Sequence, residues 1–247
     1  MPLASELPWP RLRALADSNC VALLPVGSTE AHGPHLPLGV DVLIAEAVCR
    51  RVSARLVARG EQAVTFPSLA YGVTEFAATF AGTISVNAPV TQAFLTEVIA
   101  GIAGHGFRRI CVVNHHLEPA QFAVVHQAAR TAAERTGAGI CVPDHRKKPT
   151  GPRLGVEFTH GGSHAGLYET SLMLAAAPLL VNEQERRALP ELAVDLPARI
   201  KAGATDFHQV GGPDAYLGNP AAATRAEGER LLEILAEITE AAVLSLP

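Results

Sequence analysis

The chain has 247 residues, 48% of them hydrophobic, and a formal net charge of −4. That length is expected to hold one domain, 1–247, with a substantial buried core. Apart from Arg146-Lys147-Lys148 the Lys and Arg residues are scattered, so no basic surface exists to favour nucleic acid. No apolar run approaches the roughly 18 residues of a membrane span, and the first residues lack the basic and apolar regions of a secretory signal, so a cytoplasmic protein without a membrane partner is expected.

In chain order, Val21 to Val26 reads as a buried strand and Val42 to Arg59 as an amphipathic helix closed by Gly60. Gln62 to Phe66 reads as a strand, Pro89 to His105 as a helix, Arg109 to Val113 as a strand, Pro119 to Thr136 as a helix and Gly139 to Val142 as a strand. Such alternation predicts an α/β fold of three layers, α/β/α, around a mostly parallel sheet, because parallel strands need a long crossover between them. Residues 143–163, rich in Gly, Pro, Lys and Arg, read as a long loop. A helix is expected from His164 to Ala175, and after an irregular stretch Asn219 and Pro220 offer an N-cap and first position for a last helix ending near Val243. Cys20, Cys49, Cys111 and Cys141 are far apart, form no C-x-x-C pair, and are expected to be reduced thiols, mostly buried.

The polar segment Gly27 to Asp41 begins where the first strand ends. Residues two apart in extended backbone share a side, so Glu30 and His32 can present a carboxylate and an imidazole to one point. Two prolines and two glycines could then fold the loop back to bring Asp41 to the same place. Asp41 also reads as an N-cap for the following helix, a role compatible with the first. His35 is out of phase with the pair and reads as structural. After the strand Arg109 to Val113, Asn114-His115-His116-Leu117-Glu118 repeats the device with His116 and Glu118. Two such pairs at the carboxyl ends of two strands fit the place where open parallel sheets bind ligands. Glu30, His32, Asp41, His116 and Glu118 together offer nitrogen and oxygen donors suited to Zn or Mn, with Asp41 able to bridge two ions.

A third stretch, Thr159 to Ser171, carries His160 and His164 around glycine-rich backbone. His164 is the candidate for moving a proton to a leaving nitrogen, and a helix-start histidine bonded to backbone is the alternative. Glu169 is either a further ligand or a group that orients His164 or a metal-bound histidine. Ser28 and Ser163 lack the G-x-S-x-G elbow of a serine hydrolase.

These segments resemble the creatininase-like amidohydrolase family. Glu30-Ala31-His32-Gly33-Pro34-His35-Leu36-Pro37 with Asp41 is similar to its first signature, and Phe80-Ala81-Gly82-Thr83-Ile84-Ser85 to its F-x-G-T-x-S element. His164-Ala165-Gly166 with Glu169-Thr170-Ser171 resembles its H-A-G-x-x-E-T-S, and Gly218-Asn219-Pro220 its G-D-P. The resemblance implies two divalent ions per chain, Zn or Mn. Glu30, Asp41 and His116 would hold one, and His32, Asp41 and Glu118 the other. It also implies proton transfer by His164 and a homo-oligomer, a hexamer in much of the family. Where many relatives have N-G-H-G-G-N, Glu118 groups this chain with the creatininase branch. Leu117 and His160 stand where creatininase has aromatic residues over its substrate, and the one tryptophan, Trp9, is near the N-terminus.

The expected activity is therefore hydrolysis of a C–N bond in a small, cyclic amide by a metal-bound hydroxide, with His164 and Glu118 as catalytic residues and a small molecule as the substrate. Deformylation, lactone hydrolysis and cleavage of a short peptide are the alternatives within the family, and metal binding without turnover is the alternative outside enzymes.

Overall fold

A computed structural model describes residues 2–161 and 163–247. Its strands are β1 (Val21–Val26), β2 (Ala63–Thr65), β3 (Arg109–Asn114) and β4 (Gly139–Cys141), hydrogen-bonded in one parallel sheet of order β2-β1-β3-β4. The helices α1 (Trp9–Asp17), α2 (Val40–Ala58), α3 (Ala88–Gly104) and α4 (Pro119–Thr136) alternate with them. Beyond β4 come the short α5 (Val156–Thr159), then α6 (Leu167–Ala176), the short α7 (Glu183–Ala188), α8 (Leu196–Lys201) and α9 (Phe207–Val210), and the long α10 (Arg225–Leu244).

β1 and β3 are buried at every position because both faces of the sheet are covered, which explains their unbroken apolar runs. Val21, Leu23, Cys111 and Val113 pack with α2, α6 and α10 on one face. Ala22, Leu24, Val26, Ile110 and Val112 pack with α1, α3 and α4 on the other. The layers are thus those expected, and the sheet is wholly parallel among the described residues. Cys20, Cys49 and Cys111 are buried free thiols, while Cys141 is half-buried and also free. No helix among the described residues is long and apolar enough to cross a membrane.

Four local expectations are corrected. The N-cap of α2 is Gly39, so Asp41 lies inside the first turn and its carboxylate is free to turn toward β1. The loop 143–163 contains α5 and a 3-10 turn at Gly151–Leu154. Asn219 caps only a 3-10 turn, Pro220–Ala222, because Ala223 is extended; Thr224 then caps α10 by accepting from the Glu227 amide at 3.1 Å. Thr224-x-x-Glu227 is the stronger start signal for that helix. Lastly, His164 precedes α6 rather than opening it. Ala165 is left-handed at φ +51°, and the free amides of Leu167 and Tyr168 are capped from a distance by the Glu157 carboxylate at 3.0 and 2.8 Å. The helix α1 is an element the sequence reading did not include, and Trp9 at its start is largely exposed.

The layer of α2, α6 and α10 is fixed by two features. Glu240 of α10 is buried and accepts hydrogen bonds from Arg55 on α2 at 2.9 Å and from Arg59, the residue just past the end of α2, at 2.7 Å. Gly228 of α10 lies so close to α6 that a Cβ there would stand 1.8 Å from the Ser171 carbonyl oxygen. Gly228→Ala should therefore force the helices apart and destabilise the fold by roughly 1–3 kcal/mol in urea unfolding, the usual cost of overpacking. A change below about 0.5 kcal/mol, the range of a neutral surface substitution, would contradict this contact.

Candidate metal centre

The site forms where the chain leaves β1 and β3. Gly27, the first residue after β1, presses against the start of α2: a Cβ there would meet the Asp41 Cβ at 2.6 Å and the Val42 nitrogen at 2.7 Å. Only glycine permits this approach, and it lets the Ser28 amide donate to Asp41 Oδ2 at 3.2 Å. The loop then closes on itself through Glu30 N–H to the Leu38 carbonyl, 3.0 Å. Glu30, His32 and Asp41 are thereby brought together, and His116 joins them from the end of β3. All four are buried.

The three imidazoles share one arrangement. His32 Nδ1 lies 3.1 Å from the Glu30 carbonyl, His116 Nε2 2.9 Å from the Val73 carbonyl, and His164 Nε2 3.0 Å from the Ala31 carbonyl. A carbonyl only accepts, so each of these nitrogens carries the proton, and the other nitrogen of each neutral ring presents a lone pair. Those lone pairs face carboxylates. His116 Nδ1 is 3.0 Å from Asp41 Oδ2 and 3.3 Å from Glu30 Oε1. His32 Nε2 is 3.5 Å from both Asp41 Oδ1 and Glu30 Oε1, and 3.6 Å from Glu169 Oε2. His164 Nδ1 is 3.7 Å from Glu30 Oε1.

Three overlapping groups result: Glu30 with Asp41 and His116, His32 with Asp41 and Glu169, and Glu30 with His32 and His164. Asp41 divides its two oxygens between the first two groups. Glu30 is steadied by the Thr74 hydroxyl on its other oxygen, and Glu169 by the Ala165 amide at 2.7 Å.

Glu118 is placed differently from the expectation. Its carboxylate accepts from the amides of Glu75 and Phe76, both at 3.1 Å, and it belongs to none of the three groups. The second group is completed instead by Glu169, which the sequence left open between ligand and orienting group. His160 is exposed, its ring Nδ1 donating to the Val156 carbonyl of its own turn at 2.8 Å, and Leu117 packs against the core. His35 has the structural role expected, with Nε2 2.9 Å from the Thr170 hydroxyl. Gly162, in the third stretch, lies outside the described residues. Thr74 was not foreseen, since nothing near it in sequence marks it as a partner of Glu30.

The donor set fits divalent cations. In a tetrahedral shell with metal–donor bonds of about 2.1 Å, neighbouring donors stand about 3.4 Å apart. The nitrogen–oxygen spacings here run from 3.0 to 3.7 Å. His32 Nε2, wholly buried, has no hydrogen-bond partner among the described residues. Three buried carboxylates facing three lone pairs require positive charge between them, supplied by protons or by metal.

Without metal, protons take that place. Burial favours neutral His32, but Asp41, Glu169 and Glu30 outweigh it and push its pKa up to about 10. Burial likewise opposes the charge on His116, and Glu30 and Asp41 override it, lifting that ring well above the ordinary imidazole range. Burial acts to raise the carboxylates, yet His116 above all holds Glu30 down at about 2 and Asp41 well below its usual range. For Glu169 burial prevails and the pKa rises to about 7. Burial, then His32, drives His164 down to about 4.

A family model described as creatinine amidohydrolase matches residues 5–243. The mycofactocin precursor peptide peptidase of Mycobacterium tuberculosis (strain CDC 1551 / Oshkosh) is 33% identical over 244 residues, covering 96% of this chain and 90% of that protein. The creatinine amidohydrolase of Pseudomonas putida is 32% identical, covering 93% and 91%. Among solved structures, one described as "Creatininase Mn" superposes with a TM-score of 0.78 at 26% identity, covering 98% of this chain and 96% of that one. Another is a mutant creatininase of "Zn-Zn type", with a TM-score of 0.75 at 25% identity and coverage of 98% and 96%. The family model and these relatives define the class as a hydrolase, and the buried histidines and carboxylates beyond the strand ends are its candidate metal ligands. The chain belongs to the creatininase family.

His32 and His116 hold protons at pH 7 in the metal-free protein because their pKa values are raised, so a binding cation must displace them. Titration with zinc near pH 7 should release about two protons, seen as a buffer-dependent enthalpy in calorimetry, and affinity should rise with pH. Equal enthalpies in buffers of different ionisation heat would oppose this. Separately, Glu169→Gln should lower bound zinc while Glu118→Gln retains it; the reverse order would restore Glu118 as the ligand.

Proposed function

We propose that the protein hydrolyses the C–N bond of a small amide, using two divalent ions, zinc or manganese, held by this cluster. The observation that carries the reading is the shared arrangement of the imidazoles, each with one nitrogen tied to a backbone carbonyl and the other turned on the carboxylates. Glu30, Asp41 and His116 would hold one ion and His32, Asp41 and Glu169 the other. When bound, such ions polarise a carbonyl and lower the pKa of water.

The chain's own residues supply the rest. His164 is neutral at pH 7, with its proton on Nε2 and a free lone pair on Nδ1 facing the cluster. Nδ1 is therefore placed to take a proton from attacking water and return it to the departing nitrogen, so that the amine leaves neutral. The burial of Glu30, His32, Asp41 and His116 restricts bulk water around this step. Glu118 holds the turn that carries Thr74, and Thr74 orients Glu30.

A second reading, cleavage of a short peptide, is favoured by one finding: a peptide peptidase is among the relatives matched along nearly the whole chain. Both readings break an amide C–N bond and differ in what fits above the cluster. Incubating the zinc- or manganese-loaded protein with creatinine and with a panel of short peptides separates them.

His164→Ala should retain the fold and both ions and lose about 10² to 10⁴ in turnover, the usual effect of removing a general acid or base. His32→Ala should lose metal and turnover together. Wild-type rates in His164→Ala would falsify the proton-transfer role, and activity that survives exhaustive chelation would remove the metal from the mechanism.

A further inference from the structure

His164 is packed between two rings. Its imidazole lies against His32, with centroids 4.4 Å apart and planes at 29°, and against Phe207, at 4.3 Å and 27°. Phe207 comes from α9, more than forty residues further along the chain, and is itself buried. It is held from behind. The Phe76 ring meets it edge-on at 5.1 Å and 89°, the Phe80 ring at 6.4 Å and 67°, and its amide donates to the Phe76 carbonyl at 3.3 Å. Asp206 caps α9 by accepting from the Gln209 amide at 2.8 Å. Phe76 is in turn the residue whose amide Glu118 binds.

We propose that Phe207 is a positioning residue for His164: its ring, backed by Phe76 and Phe80, keeps the imidazole in the one orientation that ties Nε2 to the Ala31 carbonyl and turns Nδ1 to the cluster. The inference rests on the proton-transfer role proposed for His164. A single hydrogen bond leaves an imidazole able to turn about its Cβ–Cγ bond, and a half turn exchanges the nitrogen side of the ring for its carbon side. Flat rings at stacking distance on either side resist that turn, because the imidazole must push them apart to rotate. An aliphatic side chain of similar volume would fill the space and keep the small apolar cluster of Ala77, Val210, Ala215 and Leu217 packed, but it presents no flat face.

The test reads the ring directly. In the full chain labelled with ¹⁵N-histidine, long-range ¹H–¹⁵N spectra report which nitrogen of each ring carries the proton, and His164→Gln identifies the His164 signals. Wild type and Phe207→Tyr should show one His164 tautomer, protonated at Nε2, and Phe207→Leu should show both tautomers or a broadened average. A purely space-filling role would leave that signature unmoved, so a single Nε2–H tautomer in Phe207→Leu overturns the proposal, as does an Nδ1–H tautomer in wild type. Should Phe207→Leu fail to fold, Phe207→Met carries the same test. Zinc titration of the same samples keeps the two readings apart. Wild-type protein that takes up no zinc would remove the metal-hydrolase reading, while the tautomer result would still decide whether Phe207 holds the ring.

Discussion

Three carboxylates buried among three imidazoles are the constraint on which the rest of the structure depends. Such a cluster is unstable without compensating positive charge, and the fold answers by fixing where every lone pair points. Each histidine donates one N–H to a carbonyl, of Glu30, Val73 or Ala31, and its second nitrogen faces the carboxylates. The carboxylates are restrained in the same way: Asp41 by the Ser28 amide, Glu30 by Thr74 and Glu169 by the Ala165 amide. A site restrained on its far side by backbone gains affinity for a cation because little ordering remains to be done on binding.

The surrounding fold serves that geometry. Parallel pairing of β1 with β3 aligns Val26 with Asn114, so the two loops that follow leave the sheet side by side. Gly27 then allows α2 to start against the end of β1, which places Asp41 between the loops. From the other side, Glu157 caps α6 and Glu169 reaches His32 from that helix. Ala165, left-handed just before α6, donates its amide to Glu169 and so links the His164 turn to the same cluster.

Glu118 shows how one side chain's contacts spread through the site. Its spacing from His116 is that of a ligand pair, yet Pro119 opens α4 directly after it, and its carboxylate bonds the amides of Glu75 and Phe76. From there the turn 74–76 serves two partners, Thr74 on Glu30 and Phe76 against Phe207. A carboxylate outside the three candidate groups thus supports both Glu30 and the ring beside His164.

The sequence by itself determined the layers, the strands β1 and β3, and the cluster members Glu30, His32, Asp41 and His116. Those features are written in local periodicity and in residues a short distance apart: unbroken apolar runs for doubly covered strands, and pairs two apart at their ends. The tertiary structure decided the rest. Whether Glu118 or Glu169 faces His32 depends on how the loop after β3 and the start of α6 meet, a distance no spacing encodes. The start of α6 is set by Glu157 and not by a neighbouring cap, and Thr74 and Phe207 reach their partners across 44 and 43 residues, respectively, from Glu30 and His164. Short-range pattern fixes which side of an element a residue occupies, whereas the pairing of distant side chains is settled only when the packed layers bring their loops together.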